Sequence, residues 1–397
     1  MAIVSSSNGL EKYPKLRCRG FSEPWNAIRF GDIVDEYSDR TKEEDEDILL
    51  SAAIEGMFLN SELFDHQRGA SNKGYKKIDM GTLVLSTQNL HLGNANVNLR
   101  FEHGMVSPAY KTYHIHDCSI GLIAEWVKSE KAKRFFYDAT TVGASVCRRN
   151  VEWDTLYDQP LYLPSEAEQE RLAAFLTALS TRIKKQQKLV EHLKKYKRGL
   201  LSSLLDKEEW QTVLMQDVAS GFDYGMNSAA TEYDGKHKYI RITDIDESTH
   251  KYISTECVSP SDLPEAKYKV EENDILFART GASVGKSYIY DSRDGELYYA
   301  GFLIRASVKP DFNSYFVYLN TLTLGYQRWV VLESTRSGQP GINAEQYRNY
   351  KFKCPPIEIQ NKIANIFIHF DLKLQREQEI LDYLLNYKKA MMQNIFV

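Results

Sequence analysis

Several short clusters in this 397-residue chain have residue types and spacings that could do chemistry, and each points to a different reaction. Gly281-Ala282-Ser283-Val284-Gly285-Lys286-Ser287 has the ending of a phosphate-cradling loop, in which glycine amides and a lysine hold a nucleotide. It is one residue short, because the position that needs the first glycine holds Thr280. Ser107-Pro108-Ala109-Tyr110 is close to the Pro-Pro-aromatic loop with which amino-methyltransferases hold a flipped base. It lacks the second proline, and no glycine-rich cofactor loop after a strand accompanies it. Glu265-Ala266-Lys267 could be half of a nuclease carboxylate–lysine motif, but the partnering acid at a strand end is missing. His114 and His116 would share one face of a strand, yet the nine histidines form no metal-spaced cluster. The five cysteines, Cys18, Cys118, Cys147, Cys257 and Cys354, are odd in number and scattered, which argues against disulfides and zinc and fits a reducing cytoplasm. No nucleophile, base and orienting group can be nominated together. The sequence therefore argues against catalysis, and against a metal or cofactor held by this chain.

The elements that would position any site come next. A length of 397 suggests two or three domains at roughly 150 residues each. Hydrophobic and charged fractions of 43% and 26% are those of a globular protein with real cores. The net charge of −4 and a pI of about 6.2 count against a protein that grips nucleic acid by charge alone, which should be strongly basic. Any such role must use local patches or lean on basic partners. Residues 1–20 contain no signal-peptide core, and no stretch approaches the roughly 18 apolar residues of a membrane span, so a cytoplasmic protein without membrane contact is expected.

An internal repeat decides the architecture. Residues 164–205 lie on residues 355–396 without a gap, at a constant offset of 191: Pro164 meets Pro355, Gln169 meets Gln360, Ala173 meets Ala364, and Tyr196-Lys197 meets Tyr387-Lys388. Both copies should be long helices starting just after a proline, where the missing N–H costs nothing. Apolar residues recur at steps of four and three: Leu172, Leu176, Leu179, Ile183, Val190, Leu193 and Leu200 in the first copy. The second has Ile363, Phe367, Phe370, Leu374, Leu381, Leu384 and Met391, a coiled-coil seam of about four heptads. Polar residues break the seam at equivalent places, Gln186 and Lys197 in one copy and Glu377 and Lys388 in the other. Shared defects point to duplication. Each helix, on the order of 50–60 Å long, has too little flanking core to bury its stripe, so the natural partner is the other copy.

The preceding segments correspond more faintly. Trp25–Val34 (WNAIRFGDIV) parallels Trp210–Ala219 (WQTVLMQDVA), and Gly81–Ser86 parallels Asn273–Ala278 in hydrophobic pattern. Both bodies are rich in Tyr, Thr, Val and Ile with Gly/Asn/Asp punctuation, the composition of short strands with a few helices. The expected fold class is α+β: two recognition domains of mixed strands and helices, separated by two long antiparallel coiled-coil helices with pseudo-twofold symmetry. The boundaries are a segment at 1–24, a first domain at 25–163, a central helix at 164–206, a second domain at 207–354 and a distal helix at 355–397.

These residues resemble a family. Cys354-Pro355-Pro356-Ile357-Glu358-Ile359-Gln360-Asn361-Lys362-Ile363-Ala364, with the charged helix ending Tyr387-Lys388-Lys389, resembles the distal repeat of Type I restriction-modification specificity subunits. The copy running from Pro164-Ser165 to Tyr196-Lys197-Arg198 is similar to that family's central spacer. Phe277–Lys286 is similar to the Arg-Thr-Gly block of its target-recognition domains, and Val106–Tyr110 to a block of the first domain. The first domain departs from the pattern in having Thr87-Gln88-Asn89 where the second has Arg279-Thr280-Gly281. The resemblance implies a non-catalytic subunit whose domains each read one half of a bipartite site in double-stranded DNA, with the helices as a ruler. It also implies partners: two methyltransferase subunits bringing S-adenosylmethionine, and restriction/translocase subunits using ATP and Mg.

Candidate DNA contacts under that resemblance lie in polar loops. Arg279, Thr280, Ser283 and Lys286 share a glycine-bearing segment where backbone could approach a duplex, although Gly281 and Gly285 also suit a plain turn between strands. Arg336, Ser337 and Gln339 sit in a second glycine-rich loop, and Arg and Gln suit bidentate readout of guanine and adenine. In the first domain the equivalents are Gln88, Asn89, Lys111, Arg148 and Arg149. The central helix is locally basic through Arg182, Lys184, Lys185, Lys188, Lys194, Lys195, Lys197 and Arg198, which suits either a DNA- or partner-facing stripe or a solvated face. Two alternatives stay open: a coiled-coil scaffold with non-DNA ligands, and a single-chain methyltransferase or nuclease with unfamiliar motifs.

Overall fold

The computed structural model describes residues 2–3, 12–64, 71–145, 148–335 and 341–397. Its contacts divide the chain into two units, residues 1–188 with 379–397, and residues 189–378. The division falls inside the two long helices and not at the ends of the globular domains.

In the first unit, alternation of β-branched and large apolar residues builds an antiparallel four-stranded sheet in the order Val34–Tyr37, Tyr110–Ile115, Leu83–Ser86, Ala95–Val97. The strand Leu83–Ser86 is buried on both faces. Because side chains alternate across a strand, Leu83 and Leu85 join a core around Phe30, Trp126 and Phe136, while Val84 joins a second cluster with Leu50, Met57, Ile78 and Val106. The second unit repeats this plan with different residues. Its sheet runs Ala219–Tyr224, Leu303–Val308, Asp274–Ala278, Ser287–Ile289. Ile275 and Phe277 face a core with Phe316 and Tyr347, whereas Leu276 and Ala278 face Ile240, Tyr288 and Tyr299.

The flanking pieces repeat as well. A two-stranded ribbon ties the start of each domain to its end, Asn26–Arg29 with Pro160–Leu163 in one and Gln211–Leu214 with Lys351–Cys354 in the other. Helices Ile120–Trp126 and Glu130–Asp138 correspond to Ser314–Asn320 and Leu324–Ser334. What differs is the outlying structure. The first unit carries the hairpin Leu50–Ala53/Gly56–Leu59 and the pair Lys76–Asp79/His103–Val106. The second carries Ala230–Glu232/Val258–Pro260 and a parallel pair, Lys238–Ile240/Leu297–Tyr299.

The central helix, Glu166–Leu205, and the distal helix, Ile357–Ile395, begin two residues after Pro164 and Pro355. Where they meet within a unit they run antiparallel. In the first unit Leu172 and Leu176 share a core with Met392, Ile395 and Phe396, and Ser180 meets Lys388. In the second, Leu201 and Leu205 share a core with Ile363 and Phe367, Tyr196 stacks on Phe370 at 5.8 Å between ring centroids, and Lys197 meets Asp371. Every seam residue is buried or half-buried. The expectation that the stripe has only the other copy to cover it is incomplete, because domain cores take both ends of each seam.

Equivalent helix positions do equivalent work. Gln169 and Gln360 are both buried. Each accepts a hydrogen bond from the N-cap amide of a domain helix, Ser119 at 2.9 Å and Asn313 at 3.0 Å. Each also donates to the carbonyl of its own leading proline, Pro164 at 3.0 Å and Pro355 at 2.8 Å. The polar breaks are used too. Lys388 reaches Ser180 and Glu125 at 2.6 and 2.7 Å, and Lys197 pairs with Asp371 at 2.5 Å, which also accepts the Tyr315 hydroxyl. The segment before the first domain is tied down: Arg17 and Glu168, 2% and 0% exposed, form a two-toothed ion pair onto the central helix.

Candidate nucleic-acid interface

In each domain two turns meet at one end of the two central strands of the sheet. Strand Asp274–Ala278 leaves into a turn at Arg279, and strand Leu303–Val308 is entered through the turn Ala300-Gly301-Phe302-Leu303, closed by Leu303 N donating to Ala300 O at 2.8 Å. Arg279 N donates to Phe302 O at 3.0 Å and joins the two. In the first domain the turn Ser107-Pro108-Ala109-Tyr110 is closed the same way at 3.1 Å, and Thr87 N donates to Ala109 O at 3.2 Å. The segments singled out separately in the sequence are thus joined in pairs, residues 87–89 with 107–110 and residues 279–281 with 300–303.

Around the second pair of turns, the Arg279 guanidinium lies 4.7 Å from the centroid of the Tyr224 ring, a cation–π contact. Ile342 N donates to Arg279 O at 2.9 Å, and Thr280 bridges Gly341. Arg336, Ser337 and Gln339, which precede Gly341 in the chain, lie outside the described residues. Ser283 and Lys286 come together on Glu247, at 2.8 and 2.6 Å, and Lys286 also donates to Ile245 O. Its side chain is 5% exposed, so the expectation of a DNA-facing lysine gives way to one spent on holding the 245–251 segment. The Lys286 ammonium and the Ser283 hydroxyl hold the Glu247 carboxyl below the usual range. Gly285, at φ +85°, packs where a Cβ would lie 2.5 Å from Val330, so the turn demands glycine there.

In the first domain Gln88 and Asn89 are exposed on the equivalent turn. Lys111 and Arg149 are engaged elsewhere. Lys111 pairs with Glu36 at 2.6 Å and lies 4.2 Å from the Trp153 ring centroid. Arg149 donates to the Thr140 hydroxyl and carbonyl, both at 2.7 Å, over the Tyr137 ring. Both are structural contacts that a DNA-binding role would have to break. Arg148 lies in the strand Arg148–Val151, with its side chain outside the described residues.

The near-motifs resolve into ordinary structure. Residues 281–286 fold back from one antiparallel strand to the next, with Gly285 N donating to Ala278 O, so no helix opens there for a phosphate. Tyr110, the aromatic of the loop at 107–110, turns inward and donates to Ala52 O. Glu265 and Lys267 pair with each other on the surface. His114 stacks on Tyr37 at 4.0 Å, while His116 pairs with Asp117 and Asp35, whose carboxylates raise its pKa. Among the described residues no three His, Cys, Asp or Glu side chains are grouped to hold a metal ion, and no helix is long and apolar enough to cross a membrane.

A family model described as a Type I restriction modification DNA specificity domain matches residues 207–386. Those residues are similar to that domain. The MjaX specificity subunit of Methanocaldococcus jannaschii is 25% identical over 198 residues, 48% of this chain and 46% of the relative. The type I restriction enzyme MjaVIII specificity subunit of the same organism is 24% identical over 168 residues, 41% and 38% of the two chains. The match spans less than half the length of either relative. Two solved structures share the fold along nearly the whole chain. The S subunit of a Type I restriction-modification system from M. genitalium has a TM-score of 0.61 at 14% identity, covering 97% of this chain and 99% of that one. A chain from a study of complex assembly and conformational transition in the type I R-M system has a TM-score of 0.54 at 15% identity, covering 96% and 99%. The family model does not reach the first domain, whose sheet order, ribbon and paired turns repeat those of the second.

The sequence passed over Phe302 and Tyr224. Phe302 is 63% exposed and Tyr224 43% exposed beside Arg279. The only signal for Phe302 was its place opposite Ala109, visible once the two strands are aligned by topology.

Proposed function

We propose that this chain is the DNA-reading specificity subunit of a Type I restriction-modification complex and carries no catalysis of its own. One observation carries the proposal: a specificity-domain fold is present twice, with the same paired turns bearing different side chains, Arg279 and Phe302 in one and Thr87 and Ala109 in the other. Same scaffold with different tips is what reading an asymmetric, split DNA site requires. The domains are proposed to contact bases through these turns, with Arg279, Thr280, Gln88 and Asn89 the best placed of the candidates, and with Arg336, Ser337 and Gln339 as further contacts.

The helices serve as spacer and docking surface. A continuous 40-residue helix is about 60 Å long, more than one 34–36 Å turn of DNA. Arg182, Lys184, Lys185, Lys188, Lys194, Lys195 and Arg198 are exposed along it. Two methyltransferase subunits docked on the helices would supply S-adenosylmethionine chemistry and add basic surface to a chain whose net charge is −4. Restriction/translocase subunits would bring ATP and Mg, and the complex would work in the cytoplasm. Selection from a random duplex pool by the chain bound to its methyltransferase partner tests this. A motif of two half-sites at fixed spacing is expected; enrichment of no motif, or of one contiguous motif, would overturn the proposal.

A further inference from the structure

The paired turns hold one side chain whose exposure the fold does not account for. Turn corners favour Gly, Pro, Asn, Asp and Ser, which Pro108 and Gly301 meet at the first corner, while at the second corner the first domain has the small Ala109. The second domain places Phe302 there, 63% exposed. The ring is carried on a fixed backbone. Leu303 N donates to Ala300 O, Gly301 N to Met226 O at 2.8 Å, and Arg279 N to Phe302 O. Beneath the turn, Gly225 approaches so closely that a Cβ would lie 2.2 Å from Ala300 O. Tyr224, next in the chain, carries the Arg279 guanidinium on its ring and accepts a hydrogen bond from Ala344 N. Three separate strands thus fix an arginine and an exposed aromatic side by side. What sets this ring apart from other exposed apolar side chains is its fixed backbone and the arginine beside it, which leave it ordered and open for contact.

We infer that Phe302 is a specificity-determining residue of the second domain, making an apolar contact with a thymine C5-methyl group beside the base pair reached by Arg279. The inference rests on the DNA-reading function proposed above. The chemistry fits the site: a thymine methyl is the apolar mark in the major groove, and arginine is the common reader of guanine. The first domain, with Ala109 at this place and Thr87 for Arg279, presents a smaller apolar group and no guanidinium.

The test uses the full chain in complex with its methyltransferase partner and duplexes carrying its split site. Each thymine is replaced singly by deoxyuridine, which removes only the methyl group. One replacement, in one half-site, should weaken the wild type by roughly fourfold, the worth of burying one methyl. The same replacement should leave Phe302→Ala unaffected, and replacements in the other half-site should act alike on both proteins. Phe302→Leu, which keeps an apolar side chain, should retain part of the discrimination and guards against a folding defect. The inference is overturned if Phe302→Ala follows the wild type at every thymine, or loses affinity equally for every duplex. A wild-type complex with no preference for any split site contradicts the DNA-reading function itself, before any variant is compared.

Discussion

Replacing Gln169 or Gln360 with alanine should open the same gap in two different places. Each glutamine satisfies one helix N-cap amide and one proline carbonyl, so each truncation removes a partner from a donor and an acceptor, Pro355 O keeping only the weak bond from the Cys354 thiol at 3.8 Å. A buried group left unpaired costs about 1–3 kcal/mol. The carbonyl keeps a second lone pair and the capped amides sit at half-buried residues, so the low end applies to each, about 2–4 kcal/mol per site. Glutamate keeps the acceptor and loses the donor, and should fall between wild type and alanine. The sites lie in different units and share no partner, so their effects should add within about 0.5 kcal/mol. Hydrogen exchange at the Ser119 and Asn313 amides is the assay, alongside denaturation with a probe in each unit, because a two-unit chain need not unfold in one step. A loss below about 0.5 kcal/mol at either site, or amide exchange unchanged by the truncation, would refute the reasoning.

Other consequences are equally specific. Arg17→Met strands the Glu168 carboxylate in the core and should cost the first unit about 3–5 kcal/mol, while the double variant with Glu168→Met recovers part of it in thermal melts. Phe396→Ala should destabilise the first unit by about 3–5 kcal/mol and leave the second unchanged, because the end of the distal helix lies in the first core. Lys128, whose ammonium donates to Ile54 O, Ala95 O and Asn96, is pushed down by burial from 10.5 to about 8. The folded state then releases this proton first, so the unfolded state binds more protons between about pH 8 and 10.5 and stability rises with pH across that window. Denaturation of Lys128→Met should lack that rise.

The helices were legible because a heptad seam, its polar breaks and its leading proline are local patterns, and duplication doubled each of them. Lys197 and Lys388 showed as shared defects; only the structure gives them jobs, on Asp371 in one case and on Ser180 and Glu125 in the other. The common domain plan was faint because the intervening structure differs, hairpins in one half and a parallel pair in the other, which breaks any constant offset. At the candidate interface, the glycine-bearing turn at Arg279 could be found from residue types. Lys286 read as exposed for the same reason, since nothing local reveals that Glu247, 39 residues away in the chain, folds back onto it. Phe302 was illegible because a single aromatic in a turn has no period, and its meaning comes from an equivalent position on another strand pair.

Methylome sequencing tests the central claim most directly, with the chain and its methyltransferase partner expressed together in a host that has no adenine methylation of its own. The DNA-reading function predicts that one split motif becomes methylated, and that exchanging residues 207–354 for another recognition domain changes one half of it while the other half and the spacing persist. Methylation without a split motif, or the same motif when this chain is omitted, would contradict it.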